Sequence, residues 1–229
     1  MAFFVSIMDR VIIVSGGRLG DADFFRRRAS VMENRLMVAC DGGARHLAAL
    51  GLVPDVIVGD MDSLDARELA AWERRGVRII RYPVKKDFTD TQLALDYALS
   101  CKPGSVEIWG ALGGRIDHTL ANVYLLMHAG DAGVPAYLMD EFTEMSLAGK
   151  ETMITGATGC LVSIIALSPL VEGITLEGFE YPLAGENLSF AQTRGLSNVV
   201  TSSVATIRVS SGNLLIVRYR RAGVFPEVE

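Results

Sequence analysis

The sequence predicts an α/β protein: a Rossmann-like parallel sheet with helices on both faces, followed by a small antiparallel β-sandwich. Three observations carry the prediction. From residue 11 to about 139, short apolar runs rich in Val and Ile alternate with polar–apolar helical stretches, the pattern of repeated βα units with short, right-handed crossovers. Beyond about residue 142, β-rich segments follow one another, most of them separated by Gly, Pro, Ser or Asn, with no convincing helix between them. Aspartates recur just past the carboxyl ends of the first-region strands, where open α/β sheets bind their ligands. The expected domains are 1–142 and 143–229.

In the first domain, strands are expected at 11–14, 36–40, 55–58, 77–81, 106–109 and 135–139. Between them, helices are expected at 21–33, 44–50, 65–75, 89–100 and 117–129, two of them closed by Gly51 and Gly76. The run Val56-Ile57-Val58 is continuously β-branched, which fits a strand covered on both faces. In the second domain, strands are expected at 152–154, 161–167, 174–177, 204–209 and 214–219. Ser210-Ser211-Gly212-Asn213 lies between two alternating runs and reads as a hairpin turn.

The chain has 229 residues, long enough to bury a full core. Half of it is hydrophobic and 21% charged, a globular balance. A net charge of −5 with no basic stripe argues against a nucleic-acid partner. Arg26-Arg27-Arg28 is expected to be a solvated helix face. Cys40, Cys101 and Cys160 are odd in number and lack C-x-x-C spacing, so neither a disulfide framework nor a zinc site is indicated. A reducing cytoplasm suits this usage. The apolar opening of residues 1–8 lacks a basic flank and is cut off by Asp9-Arg10, so neither a signal peptide nor a membrane span is expected there.

The acidic residues carry the chemistry. Val56-Ile57-Val58-Gly59 runs into Asp60-Met61-Asp62-Ser63, and in an extended segment residues i and i+2 point the same way. Asp41 follows the second strand, Asp87 and Asp90 the fourth after a short loop, and Asp117 the fifth. Crowded like charges are costly without a cation. Magnesium, a hard ion satisfied by a few carboxylates plus phosphate oxygens, fits such a set. For Asp87 or Thr89 a helix N-cap is the competing role. No G-x-x-x-x-G-K-[ST] occurs, so this is no P-loop enzyme. Gly16-Gly17-Arg18-Leu19-Gly20 lacks dinucleotide spacing and reads equally as a plain turn or a phosphate cradle. Gly113-Gly114-Arg115 offers close backbone approach and a guanidinium fork, unless Arg115 simply pairs with Asp117. His118 is a hydrogen-bonding partner, a base or a helix-start residue; His46 and His128 receive no role. Lys85-Lys86 is a surface pair, unless its position before Asp87 lets one lysine neutralise phosphate.

Read together, Asp41-Gly42-Gly43, Gly59-Asp60-Met61-Asp62-Ser63, Asp87-Phe88-Thr89-Asp90 and Gly113-Gly114-Arg115-Ile116-Asp117-His118 resemble the thiamine pyrophosphokinase (thiamin diphosphokinase) family. Gly178-Phe179-Glu180-Tyr181-Pro182-Leu183 and Gly195-Leu196-Ser197-Asn198 resemble its thiamine-side motifs. The resemblance implies Mg2+-dependent transfer of a diphosphoryl group from ATP to the hydroxyl of thiamine, releasing AMP, in a cytoplasmic homodimer whose β-domains help complete the active sites. On it, domain 1–142 is catalytic and binds nucleotide and metal, and domain 143–229 binds thiamine and dimerises. Asp60, Asp62 and Asp90 are the implied metal ligands, and Asp62, Asp90 and Arg115 the catalytic residues. Asp41, Gly42, Gly43, Ser63, Lys86, Asp87, Thr89, Arg115 and Asp117 line the implied nucleotide and phosphate pocket, and Ser197 and Asn198 face thiamine. No tryptophan falls in the second domain (the two are Trp72 and Trp109), whereas eukaryotic relatives stack one on the thiamine ring.

Two rivals remain beside this reading. A hydroxymethylpterin diphosphokinase shares the first-domain motifs, but the segments at 181–183 and 195–198 favour thiamine. A non-catalytic nucleotide or thiamine diphosphate sensor would have lost part of the acidic set. A nicotinamide oxidoreductase lacks its glycine fingerprint.

Overall fold

The computed structural model describes residues 9–31, 34–84 and 87–224. The expectations for the opening segment, for the end of the first helix and for Lys85 and Lys86 therefore lie wholly or partly outside the described residues. The chain divides into two compact units, 1–141 and 142–229.

In the first unit the strands are β1 (Arg10–Val14), β2 (Arg35–Cys40), β3 (Val56–Gly59), β4 (Arg78–Arg81), β5 (Val106–Trp109) and β6 (Ala136–Met139). They lie in the order β6-β5-β1-β2-β3-β4, and every pairing is parallel. Between them run α1 (Ala22–Ser30), α2 (Gly43–Ala49), α3 (Ala66–Arg74), α4 (Asp90–Ser100) and α5 (Ile116–Asp131). Alternate strand residues face opposite sides, and both sides are covered. Ile12, Val14, Met37, Ala39 and Ile57 pack with Phe25 of α1, Leu47 of α2 and Trp72 of α3. Their neighbours Val11, Ile13, Val38 and Val58 are equally buried on the other side, where α4 packs on β1, β2 and β3. Burial on both faces is why these strands are unbroken apolar runs.

Local signals set the helix starts. Asp21 caps α1, its side chain accepting from Phe24 N–H. Asp65 and Glu68 form a reciprocal capping box at α3. Arg28 departs from the solvated face expected for 26–28. It donates to Glu107 Oε1 at 2.6 Å, joined there by Arg10 at 2.7 Å, while Trp109 Nε1 donates to Glu107 Oε2. Glu107 is 1% exposed, and a buried carboxylate persists only with such partners.

The second unit holds two antiparallel sheets of four strands each. One has the order β12 (Asn198–Val199), β9 (Leu161–Ala166), β14 (Leu214–Tyr219), β7 (Thr143–Leu147); the other β11 (Leu183–Ser189), β10 (Leu170–Glu177), β13 (Val204–Arg208), β8 (Glu151–Thr155). Ile164, Val171, Ile174, Leu188, Ala205, Ile207 and Ile216 belong to one core drawn from both. This is the expected sandwich, with two corrections. The turn at 210–213 is not a hairpin: β13 pairs with β8 and β10, whereas β14 pairs with β7 and β9. Ser211 bridges to Glu172, so the turn is drawn onto β10 and carries the chain from one sheet to the other. Strands β7, β11 and the two-residue β12 are also not expected from the sequence. β11 is an edge strand with most of its residues exposed, so it shows no apolar alternation. Among the described residues no helix is long and apolar enough to cross a membrane.

Candidate active site

The carboxyl ends of β1, β2, β3 and β5 open onto a cavity of about 540 Å3, lined among others by Ser15, Asp41, Ser63, Asp90, Gly110 and Arg115. The β1/β5 boundary is where chain order reverses in this sheet, and open sheets bind ligands at that crevice.

Asp41, Asp60 and Asp62 each offer an oxygen, and these oxygens all lie within 4.8 Å of one another. The local fold builds this trio. Met61, between the two rim aspartates, is buried in the core, so Asp60 and Asp62 are turned away from it. Asp60 Oδ1 accepts from Asp62 N–H at 3.2 Å, and Ser63 Oγ donates to Asp62 Oδ1 at 3.2 Å. Asp41 Oδ2 accepts from Ser63 N–H at 3.0 Å. Asp41 Oδ1 is buried without a hydrogen-bond partner. The backbone carries strain here, with φ +35° at Asp41 and +64° at Met61, conformations that non-glycine residues adopt at a cost of about 1–3 kcal/mol.

Gly59 lets the second carboxylate loop approach. Its φ is +152°, and a Cβ there would stand 3.0 Å from Asp41 Cβ and 3.1 Å from Asp90 Oδ1. Asp90 is thereby held against the end of β3, as the first residue of α4. Thr89 takes the capping role, its Oγ1 accepting from Gln92 N–H at 3.2 Å. Asp87 is exposed and does not line the cavity.

Burial pushes the Asp41 carboxyl above its ordinary range, opposed by the Ser63 hydrogen bonds and reinforced by nearby Asp62. A buried, strained, partly unpartnered carboxylate beside two others is costly as it stands. A divalent cation offsets the buried charge, the missing partner and the mutual repulsion, so the residues present fit a hard metal ion. Cys40 lines the same cavity, but burial pushes its thiol up to about 12. It is a neutral packing group rather than a nucleophile.

On the β5 side, Arg115 donates to Asp117 through Nε at 3.1 Å and Nη2 at 2.5 Å. This pair holds the Asp117 carboxyl down at about 2. Arg115 and His118 line the cavity, whereas Asp117 does not. Gly42 and Thr89 are wall residues, whereas Gly43 does not line the cavity and lets the start of α2 pack on the β1 backbone, since a Cβ there would collide with Val14 O. Lys86 lies outside the described residues.

Several wall residues escape sequence reasoning. Ser15 Oγ and Thr91 Oγ1 are 2.9 Å apart. Asn122 is buried and donates to Ala111 O at 2.8 Å. His46 Nε2, given no role above, lies 2.7 Å from Gly17 O. Ser15 had a signal, its place at a strand end; the others gain their position only when distant turns meet.

In the second unit a separate cavity of about 430 Å3 is lined by Glu180, Tyr181, Pro182, Arg194, Leu196 and Asn198, among others. Asn198 is buried, and its carboxamide makes three hydrogen bonds to backbone. Nδ2 donates to Tyr181 O at 2.8 Å, and Oδ1 accepts from Tyr181 N–H and Val199 N–H, each at 3.0 Å. It therefore braces the wall that carries Tyr181. Ser197 is exposed with φ +57°, and its N–H donates to Ser163 Oγ at 3.0 Å.

Comparison with known proteins gives consistent results across both units. Residues 28–138 match the family model described as thiamin pyrophosphokinase, catalytic domain, and residues 151–214 the one described as thiamin pyrophosphokinase, vitamin B1 binding domain. Thiamine pyrophosphokinase of Bacillus subtilis is 30% identical over 188 residues, spanning 81% of this chain and 88% of the relative. The crystal structure of thiamine pyrophosphokinase from Bacillus subtilis superposes with a TM-score of 0.82 at 28% identity, covering 92% of this chain and 99% of that one. The thiamin pyrophosphokinase structure from Geobacillus thermodenitrificans gives 0.80 at 29% identity, covering 93% and 99%.

Proposed function

The chain belongs to the thiamine pyrophosphokinase family, and from that premise we propose that it transfers the diphosphoryl group of ATP to the hydroxyl of thiamine, giving thiamine diphosphate and AMP, with Mg2+ at the acidic site. The observation that carries the metal-dependent part is Asp41, whose Oδ1 is buried without a hydrogen-bond partner and which offers a carboxylate oxygen within 4.8 Å of oxygens of Asp60 and Asp62. Such a cluster is poorly suited to anything but a cation, and phosphate chemistry is what that cation serves beside a guanidinium fork.

Asp41, Asp60 and Asp62 would hold the metal, with Asp90 completing the set from α4. When bound, the metal neutralises phosphate charge and lowers the barrier to an incoming oxygen. The remaining work falls to this chain's residues. The glycine turns and Ser63 shape the phosphate end of the cavity. Arg115 offers a planar fork to the transferred group as negative charge spreads over its oxygens. In such transfers positioning dominates over covalent work by the protein. The thiamine hydroxyl attacks the β-phosphorus in line, and AMP leaves.

The second unit would supply the thiamine side, its cavity bounded by Tyr181 and Pro182 and braced by Asn198, with Ser197 beside it. An aromatic ring and an adjacent carboxylate, Glu180, suit a cationic heteroaromatic ligand. The division of labour follows the two units, in a homodimer whose partner copy completes each site and which works in the cytoplasm. Incubation with ATP, Mg2+ and a panel of acceptor alcohols, read as AMP release, tests the reaction. Release dependent on thiamine alone is the expected result; release with a hydroxymethylpterin but not thiamine, or no release, refutes it.

A further inference from the structure

We propose that Arg45 is a further substrate-contacting residue, gripping the phosphate chain of a bound nucleotide from the α2 side of the cavity. This rests on the nucleotide-binding reading above. Arg45 and Arg115 line the same cavity, and their guanidinium groups are held in the same way. Arg45 donates to Glu68 through Nε at 2.8 Å and Nη2 at 2.9 Å, as Arg115 does to Asp117. Among the described residues, Arg45 Nη1 has no hydrogen-bond partner, and the side chain is 56% exposed. One edge of the fork is fixed, and the other is available to an anion.

The anchor is what separates this pair from an ordinary surface ion pair, which orders little and contributes little. Glu68 Oε2 also accepts from Asp65 N–H at 2.8 Å as half of the α3 capping box. Arg45 and this backbone bond hold the Glu68 carboxyl down at about 2, so the anchor stays charged at any working pH. A guanidinium held in this way loses little freedom when a ligand arrives. Electrostatics points the same way. Asp41, Asp60 and Asp62 repel a polyphosphate until a cation neutralises them, and Arg45 and Arg115 place positive charge on the cavity wall.

Calorimetric titration of the intact protein with α,β-methylene ATP and Mg2+ tests this on the wild type, Arg45→Met, Arg45→Lys and Glu68→Gln. Arg45→Met should weaken binding by about tenfold or more, the loss of a charge-assisted hydrogen bond. Arg45→Lys should recover part of the loss, and Glu68→Gln should cost less than Arg45→Met. The KM for thiamine and the unliganded melting temperature should stay at wild-type values. Unchanged affinity in Arg45→Met overturns the proposal. So does a parallel loss in Arg45→Met and Glu68→Gln accompanied by lower unliganded melting temperatures, which would make the pair a brace for α3. A wild type that binds no analogue overturns the nucleotide reading itself, a failure seen before any variant is measured.

Discussion

The cavity at the sheet edge and the cavity in the sandwich are built on opposite principles. At the carboxyl edge of the parallel sheet, a polar group is left in want of a partner: Asp41 Oδ1 is buried and unpaired, beside the carboxylates of Asp60 and Asp62. In the sandwich, the motif residue Asn198 makes three side-chain hydrogen bonds to backbone. The first site stores unfavourable energy that a cation and phosphates release on binding. The second is a shaped wall braced from behind by Asn198. Substitutions in the first should therefore damage activity while sparing or raising stability, and those in the second should damage stability first.

The largest expected effect is on turnover. Asp62→Asn should lower the rate by about 100- to 1,000-fold, the scale of losing one charge-stabilising group, with the melting temperature unchanged or raised. Near-normal rates for both Asp62→Asn and Asp90→Asn at saturating Mg2+ would break the comparison on the catalytic side.

Next comes Asn198→Ala, which removes three hydrogen bonds from a buried position. It should destabilise the protein by about 2–3 kcal/mol, read from denaturant unfolding, and raise the KM for thiamine as a consequence. Unaltered stability would mean that Asn198 is not the brace described here.

The smallest effect is the most diagnostic. Burial raises the Asp41 carboxyl above its ordinary value of 3.8, so the folded chain holds this proton more readily than the unfolded one. The stability this group lends is complete below pH 3.8 and is lost as pH rises through the raised folded value. Asp41→Asn should thus raise the melting temperature of the metal-free protein at neutral pH, since the amide stands in for the protonated carboxyl that the folded chain prefers. The same variant should lose the stabilisation that Mg2+ gives the wild type, a gain that in the wild type should grow as pH rises and the carboxylate ionises. A thermal shift series with and without Mg2+ across pH reads both signs.

Much of this was legible along the chain. The βα alternation, the strand ends and the placement of Asp60, Met61 and Asp62 follow from local pattern, because a strand buried on both faces must be apolar and its end must not be. Capping at Asp21, Asp65 and Thr89 is likewise local chemistry. The switch of sheets at 210–213 was not legible, since two alternating runs around a Gly-Asn turn look the same whether they pair with each other or with remote strands. Nor was β11, an exposed edge strand held in its sheet by pairing with β10.

Residue order settled the fold class, the domain sequence and the acidic character of one sheet edge, because periodicity and strand-end chemistry act over a few neighbouring residues. Which carboxylates share a cation, that Asp41 stands with Asp60 and Asp62, and that Arg45 and His46 face the same cavity depended on folding. Those relations join side chains from separate loops, and their distances exist only once the parallel strands are packed side by side.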